Sequence, residues 1–225
     1  MSVSIAMMYL FKYLADFLHF CAQIMLASRI YTNRSCSGIS GKSVILLLIT
    51  YCSRYLDMIT DPLGLPFYTY FLKISYISIH SLLVYFIYYK FYATSSKLED
   101  NANLLYFLVP AAIIGFIFTP NYQPVKVLEY FSLALEAIAM IPQLMLLKKV
   151  REAEAITTHY IFLSGFYRVL YTLYWILLYM LTSHLKVYKL ACGFVQTFFY
   201  GAFFHVYFKS ILHFRQNRLP TKINR

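Results

Sequence analysis

Seven apolar runs, at 7–27, 44–60, 66–92, 104–119, 125–147, 160–181 and 187–212, dominate this chain. Each is close to the roughly 20 residues that a helix needs to cross a bilayer. Hydrocarbon offers no partner for backbone N–H and C=O groups, so a spanning segment must satisfy them within itself, as a helix does. The sequence therefore predicts an all-α membrane protein with about seven transmembrane helices. The run at 44–60 is short, and the one at 104–119 carries Pro110 and Gly115. Composition agrees: 60% of residues are hydrophobic and 13% charged, where a soluble domain carries about a quarter charged.

The net charge of +11 raises the question of a nucleic-acid partner, but its distribution argues for topology instead. Arg29, Arg34, Lys42, Lys90, Lys97, Lys148, Lys149, Arg151, Lys209, Arg215, Arg218, Lys222 and Arg225 fall on alternate loops or at the C-terminal end. Such a bias marks the cytosolic side. The N-terminus is then luminal, the C-terminus cytosolic, and an odd number of spans fits. Lys12, Asp16 and His19 interrupt the first run and no small-residue cleavage site follows it, so it is expected to stay in the mature protein. No polar stretch divides the chain, which reads as one membrane domain over 1–214 and a basic tail over 215–225.

Ionisable residues inside spans face a protein interior or a wet cavity and are functional candidates. Lys12, Asp16 and His19 are spaced i, i+4, i+7, on one helical face. Arg54 and Asp57 stand i, i+3 and are placed to pair, with Tyr55 on an adjoining face. Glu129 and Glu136, seven apart, share a face of the fifth span. Tyr167, Tyr171 and Trp175 form a stripe on the sixth, with Arg168 beside them. Turned inward, these faces enclose cations, carboxylates, phenols and one histidine, a lining suited to a zwitterionic or peptide-like ligand. Arg54 is the natural receiver of a carboxylate, because a guanidinium grips it bidentately and stays charged; an internal Arg54–Asp57 bridge is the other reading. His19 titrates in the range between a neutral and a mildly acidic compartment, unless it is simply a hydrogen-bonded core residue. Pro142 followed by Gln143 is a pair that kinks a helix and frees a carbonyl.

Cys21, Cys36, Cys52 and Cys192 show no C-x-x-C spacing and point to neither a metal site nor a disulfide framework. Gly38 to Ser43 has only a superficial likeness to a phosphate loop, and no hydrolase, zincin or dinucleotide motif occurs. No enzyme activity, cofactor or metal is expected.

Several motifs together carry a resemblance. Arg34-Ser35-Cys36-Ser37-Gly38-Ile39-Ser40-Gly41-Lys42-Ser43 is followed by Arg54-Tyr55-Leu56-Asp57. Phe11-Lys12-Tyr13-Leu14-Ala15-Asp16 precedes His19, and Glu136 precedes Ile141-Pro142-Gln143-Leu144. Glu152-Ala153-Glu154 stands with Thr157 to Tyr160, Tyr167-Arg168 with Tyr171 and Trp175, and Gly193 with Val195-Gln196-Thr197. Over nearly the whole chain these resemble the KDEL receptors, the ER lumen protein-retaining receptor family.

The resemblance implies two three-helix units joined by a linking helix, as in SWEET and PQ-loop proteins. It implies a receptor of the Golgi and endoplasmic reticulum membranes that binds C-terminal KDEL- or HDEL-type signals of luminal proteins at acidic pH and releases them at neutral pH. Arg54 would take the terminal carboxylate with Tyr55 nearby. Lys12 stands where the family has an arginine for an acidic side chain, and Tyr171 and Trp175 match cavity-lining aromatics. His19 matches the pH-sensing histidine, with Glu136, Tyr167 and Arg168 as the cluster that responds to it. Lys209, Arg215 and Arg218 match basic residues that recruit coatomer, although anchoring against anionic lipid explains them equally well. Departures gather round the same cavity. Leu178 stands where an arginine binds a signal carboxylate, Lys126 where a glutamate faces the signal's basic residue, Glu129 for a tryptophan, and Ala202 for an aspartate of the last span. Glu129, one turn from Lys126, stays placed to meet a basic residue at the first signal position. An altered preference among tetrapeptides is expected. The alternative function is a PQ-loop-like small-solute transporter.

Overall fold

The computed structural model describes residues 3–60, 64, 66–96, 98, 100–150, 157–182 and 187–218. Every long element among them is a helix, and several boundaries have a local cause. The first helix, α1, is Val3–Asn33. The next, α2 (Gly41–Arg54), begins at Ser40, whose backbone is extended and whose side-chain oxygen accepts the Ser43 N–H at 3.1 Å, the usual N-cap arrangement. A break at Tyr55 and Leu56 separates it from the single turn α3 (Asp57–Thr60). Pro66 precedes α4 (Phe67–Tyr85), which runs on as one π-helical stretch over Phe86–Lys90.

The fourth rod is α5 (Leu105–Phe118), with Pro110 inside, and Pro124 opens α6 (Pro124–Ile138) at the position where a missing N–H costs nothing. Pro142 explains where α6 stops. Its ring collides with the carbonyl four residues back, which belongs to Ile138, the last residue of α6. The chain resumes as α7 (Ile141–Val150), with Leu144 N–H on the Met140 carbonyl at 3.0 Å. The last two helices are α8 (Thr157–Thr182) and α9 (Val187–Arg218). Residues 215–218, expected to open the basic tail, therefore continue α9.

With α2/α3 and α6/α7 each counted as one broken rod, the described helices make seven rods. Ile5–Asn33, Gly41–Thr60, Phe67–Lys90 and Pro124–Lys149 are each long and apolar enough to cross a membrane, and Leu105–Phe118 is apolar but shorter. Their outer surfaces carry exposed Leu10, Phe17, Ile113, Ile117 and Phe198, as hydrocarbon requires.

The packing pattern has the symmetry of the two three-helix units that the resemblance implies. In the first unit α4 lies against both α1 and α2; in the second, α9 lies against α6, α7 and α8. Between the units α1 packs along α8, and α2 along α6. Exchanging α1 with α6/α7, α2 with α8 and α4 with α9 leaves this set of neighbours unchanged, the mark of two equivalent three-helix units. The linking helix α5 packs on α6. Gly115 makes that approach close, because a methyl group there would lie 2.5 Å from the Phe131 Cα. Small residues serve this purpose where lipid-embedded helices meet.

One end of the bundle collects the helix ends that bear Arg29, Arg34, Lys42, Lys90, Lys148 and Lys149, and is called the basic end below. It is tied shut. Gln143 of α7 receives the Ser40 N–H at 2.7 Å, donates to the Gly38 carbonyl at 2.8 Å, and gives its own N–H to Ser43 Oγ at 2.9 Å. Asp100 closes the same corner, accepting from Ser40 Oγ and from the Lys42 N–H. Beneath this lies an apolar plug of Met140, Leu144, Leu147, Tyr200 and Phe203. Cys36, in the turn before α2, is fully buried, and that burial pushes its thiol up to about 11.

Candidate functional site

A cavity of about 360 Å³ opens between the two units toward the end opposite the basic one. Its floor is an ion cluster. Glu136, buried on α6, is held by Arg54 Nη2 at 2.5 Å and by Arg168 Nη2. Arg54 also donates through Nε to Ser132 Oγ at 3.1 Å and through Nη2 to the Ser132 carbonyl at 3.2 Å. Arg168 Nη1 reaches Gln196 Oε1 at 2.5 Å, and its guanidinium lies 4.8 Å over the Tyr167 ring. Two guanidiniums against one carboxylate leave the floor with an excess positive charge. Arg54 retains 22% exposure of its side chain, so it is the arginine that an incoming anion meets first.

His19 lies beside this cluster and is not bonded to it. It stacks on Tyr167 at 4.1 Å between centroids. Its Nε2 is 2.6 Å from Gln23 Nε2 and 3.1 Å from Tyr51 Oη. The structure thus brings His19, Tyr167, Arg168 and Glu136 together as expected, with Tyr167 as the spacer between the imidazole and the ion cluster.

Nearer the mouth, Lys12, Tyr55, Tyr171 and Trp175 all line the cavity. Asp16, one turn deeper than Lys12, accepts bonds from Tyr171 and, at 3.2 Å, from Tyr68. Lys12 makes no ion pair among the described residues.

Two sequence expectations change. Arg54 and Asp57 do not pair: α2 ends at Arg54, so their i, i+3 spacing spans a helix break, and Asp57 instead pairs with Lys73 of α4. Glu129 does not line the cavity with a free carboxylate. It is clasped by Lys126 and Lys189, each at 2.8 Å, and meets the cavity through Lys189, whose Nζ sits 5.5 Å over the Trp175 ring. Of the basic residues placed toward the C-terminus, Lys209 is exposed on α9, Arg215 and Arg218 lie in its last turns, and Lys222 is outside the described residues. The charged pairs Glu152 and Glu154 of the motif also lie outside them.

The sequence reading missed Tyr51, Lys73 and Lys189 among the lining residues, and Gln23, which bonds to His19 behind the lining. Gln23 had a signal, since it continues the Lys12, Asp16, His19 face by one more turn. Lys73 and Lys189 pair with acids 16 and 60 residues away in sequence, a distance no local pattern covers.

A one-ended polar cavity, floored by arginines and roofed by lysines and aromatics, between two three-helix units, defines a helical membrane protein with a cationic pocket open at one end. The sequence comparisons sharpen that class. The family described as ER lumen protein retaining receptor matches residues 35–178. The chain is 38% identical to an "ER lumen protein-retaining receptor" of Drosophila melanogaster over 95% of its own length and 100% of the relative's. It is 37% identical to "ER lumen protein-retaining receptor 3" of Mus musculus over 96% of its length and 100% of the relative's. The chain belongs to the ER lumen protein-retaining receptor family, a family of receptors and not of enzymes.

Proposed function

We propose that this protein retrieves escaped luminal proteins from the Golgi to the endoplasmic reticulum by binding their C-terminal KDEL- or HDEL-type signals, more tightly at acidic than at neutral pH. The observation that carries the reading is Arg54. It is anchored by Ser132 and Glu136 yet keeps part of its guanidinium open at the bottom of the cavity. A peptide is the kind of ligand that ends in the carboxylate such a group grips. Lys12, on the opposite wall, is placed for an acidic side chain upstream of it.

The pH response follows from charge balance. His19 faces Tyr51 and Arg54 from α2, Tyr76 and His80 from α4, Glu136 from α6, and Tyr167 and Arg168 from α8. The single acid among them is already shared by two arginines. A proton on His19 adds one more cation to a positive floor, and a bound carboxylate offsets it, so ligand binding and proton uptake reinforce each other. One linked proton yields at most about a tenfold change in affinity per pH unit. The cavity mouth faces the lumen in this reading, and the basic end, with Lys209, Arg215 and Arg218, faces the cytosol, coatomer and anionic lipid.

Titration of the purified protein with a Lys-Asp-Glu-Leu-ending peptide and its C-terminal amide, at mildly acidic and neutral pH, tests the proposal. The free acid should bind better than the amide, most of all at acidic pH; equal binding of the two would sink it. The two-unit plan favours one second reading, a PQ-loop-like transporter of small solutes. That reading calls for uptake into reconstituted vesicles and indifference to the peptides.

A further inference from the structure

The mouth of the cavity carries more cation than its carboxylates can occupy. Asp57 is paired with Lys73, and its second oxygen is buried. Asp16 is occupied by the hydroxyls of Tyr68 and Tyr171. Glu129 is shared by Lys126 and Lys189, which leaves one net positive charge where α6 meets α9. Both lysines keep room to turn toward a ligand, with 44% of the Lys126 and 24% of the Lys189 side chain exposed. A basic ligand side chain entering here meets two ammonium groups and no uncommitted acid among the described residues. An acidic one finds a waiting partner.

Distance says which ligand residue is affected. Glu129 lies one helical turn before Ser132 and two before Glu136, the two residues that fix Arg54. That is about 4.5 and about 10.5 Å along the axis. An extended peptide advances about 3.3–3.6 Å per residue. With its carboxylate on Arg54, the second to fourth residues from the C-terminus come level with Glu129, and the fourth lies nearest Lys126, one turn farther toward the mouth.

We infer that Lys126 and Lys189, held by Glu129, set the preference of this receptor within that tetrapeptide class, so that signals with an acidic residue at the fourth position from the end bind more tightly than the KDEL and HDEL forms with lysine or histidine there. Glu129 is then a positioning residue that sets the two ammonium groups. The inference rests on the Arg54 carboxylate reading above and deepens it by naming the class of signal.

The test is a peptide series on the unaltered protein at acidic pH: Glu-Asp-Glu-Leu, Ala-Asp-Glu-Leu and Lys-Asp-Glu-Leu ends, each as free acid and as amide. The glutamate peptide should bind at least tenfold more tightly than the lysine peptide, with alanine between them. Raised salt should narrow the gap, since part of the lysine pair is open to solvent. Lys189→Glu should reverse the ranking. If free acids bind better than amides but the lysine peptide equals or beats the glutamate peptide, the acidic preference fails and the carboxylate site stands. If no free acid binds better than its amide, both fail. The series on the unaltered protein decides the matter whether or not the variant folds.

Discussion

The side-chain amide of Gln23 donates to His19 Nε2 across 2.6 Å, while the other end of that amide, Oε1, is buried without a partner. This arrangement satisfies a neutral imidazole that accepts at Nε2. Protonation turns Nε2 into a donor, which then faces an NH₂ group. A half-turn of the Gln23 amide puts the orphaned Oε1 opposite the new N–H and repairs both faults. In the proposed pH response, Gln23 would be the partner that makes a charged His19 tolerable. Gln23→Leu is expected to reduce the ratio of acidic to neutral peptide affinity toward unity, with neutral-pH binding little altered. Isothermal titration at the two pH values reads this ratio, and an unchanged ratio rules the amide out of the response.

Arg54→Lys keeps a charge over Glu136 but loses the fork that serves Ser132 and Glu136 at once and that the proposed function assigns to a ligand carboxylate. A lost charge-assisted bond is worth about 1.5–3 kcal/mol, so free-acid peptides should bind roughly 10- to 150-fold more weakly. Amidated peptides, which lack the partner group, should not change. The difference between the two losses is the measurement of interest.

Glu136→Gln leaves Arg54 and Arg168 side by side without the anion that reconciles them. Breaking a buried pair in this way costs about 3–5 kcal/mol, and the melting temperature in detergent should fall markedly. Adding Arg168→Gln removes one of the stranded charges and should recover part of the loss. A double variant that melts no higher than Glu136→Gln alone would show that the two cations are not the source of the damage.

Much of the architecture was legible, and the reason is the bilayer. Run length alone predicts the seven rods, and Pro142 carries the break after Ile138 in its own chemistry. The π-helical stretch at Phe86–Lys90 has no such marker; no proline or glycine announces it, and its register is settled by packing. The site was legible where a charge sits inside a span, as with Lys12, Arg54, Glu136 and Arg168. Partner choice was not, because Arg54 finds Glu136 across the bundle and Asp57 finds Lys73 across a turn. Gln23 passed unseen because an uncharged amide does not stand out in an apolar run.

Gly115 offers a test of the linking helix. An added Cβ would meet the Phe131 Cα at 2.5 Å and its backbone nitrogen at 2.6 Å, so α5 and α6 must separate. Gly115→Ala should cost about 1–3 kcal/mol, as overpacking generally does, and lower the melting temperature. Gly201 on α9, with nothing within 4 Å of the same position, is the control: Gly201→Ala should leave melting unchanged or raise it.

The three bonds of Gln143 and the apolar plug beneath them make the cavity a blind alley. On the proposed retrieval reading, a ligand must enter and leave this arrangement by the same door. Direction would then come from the itinerary of the membrane that carries the protein, and the conditions at each stop would decide when the door lets go.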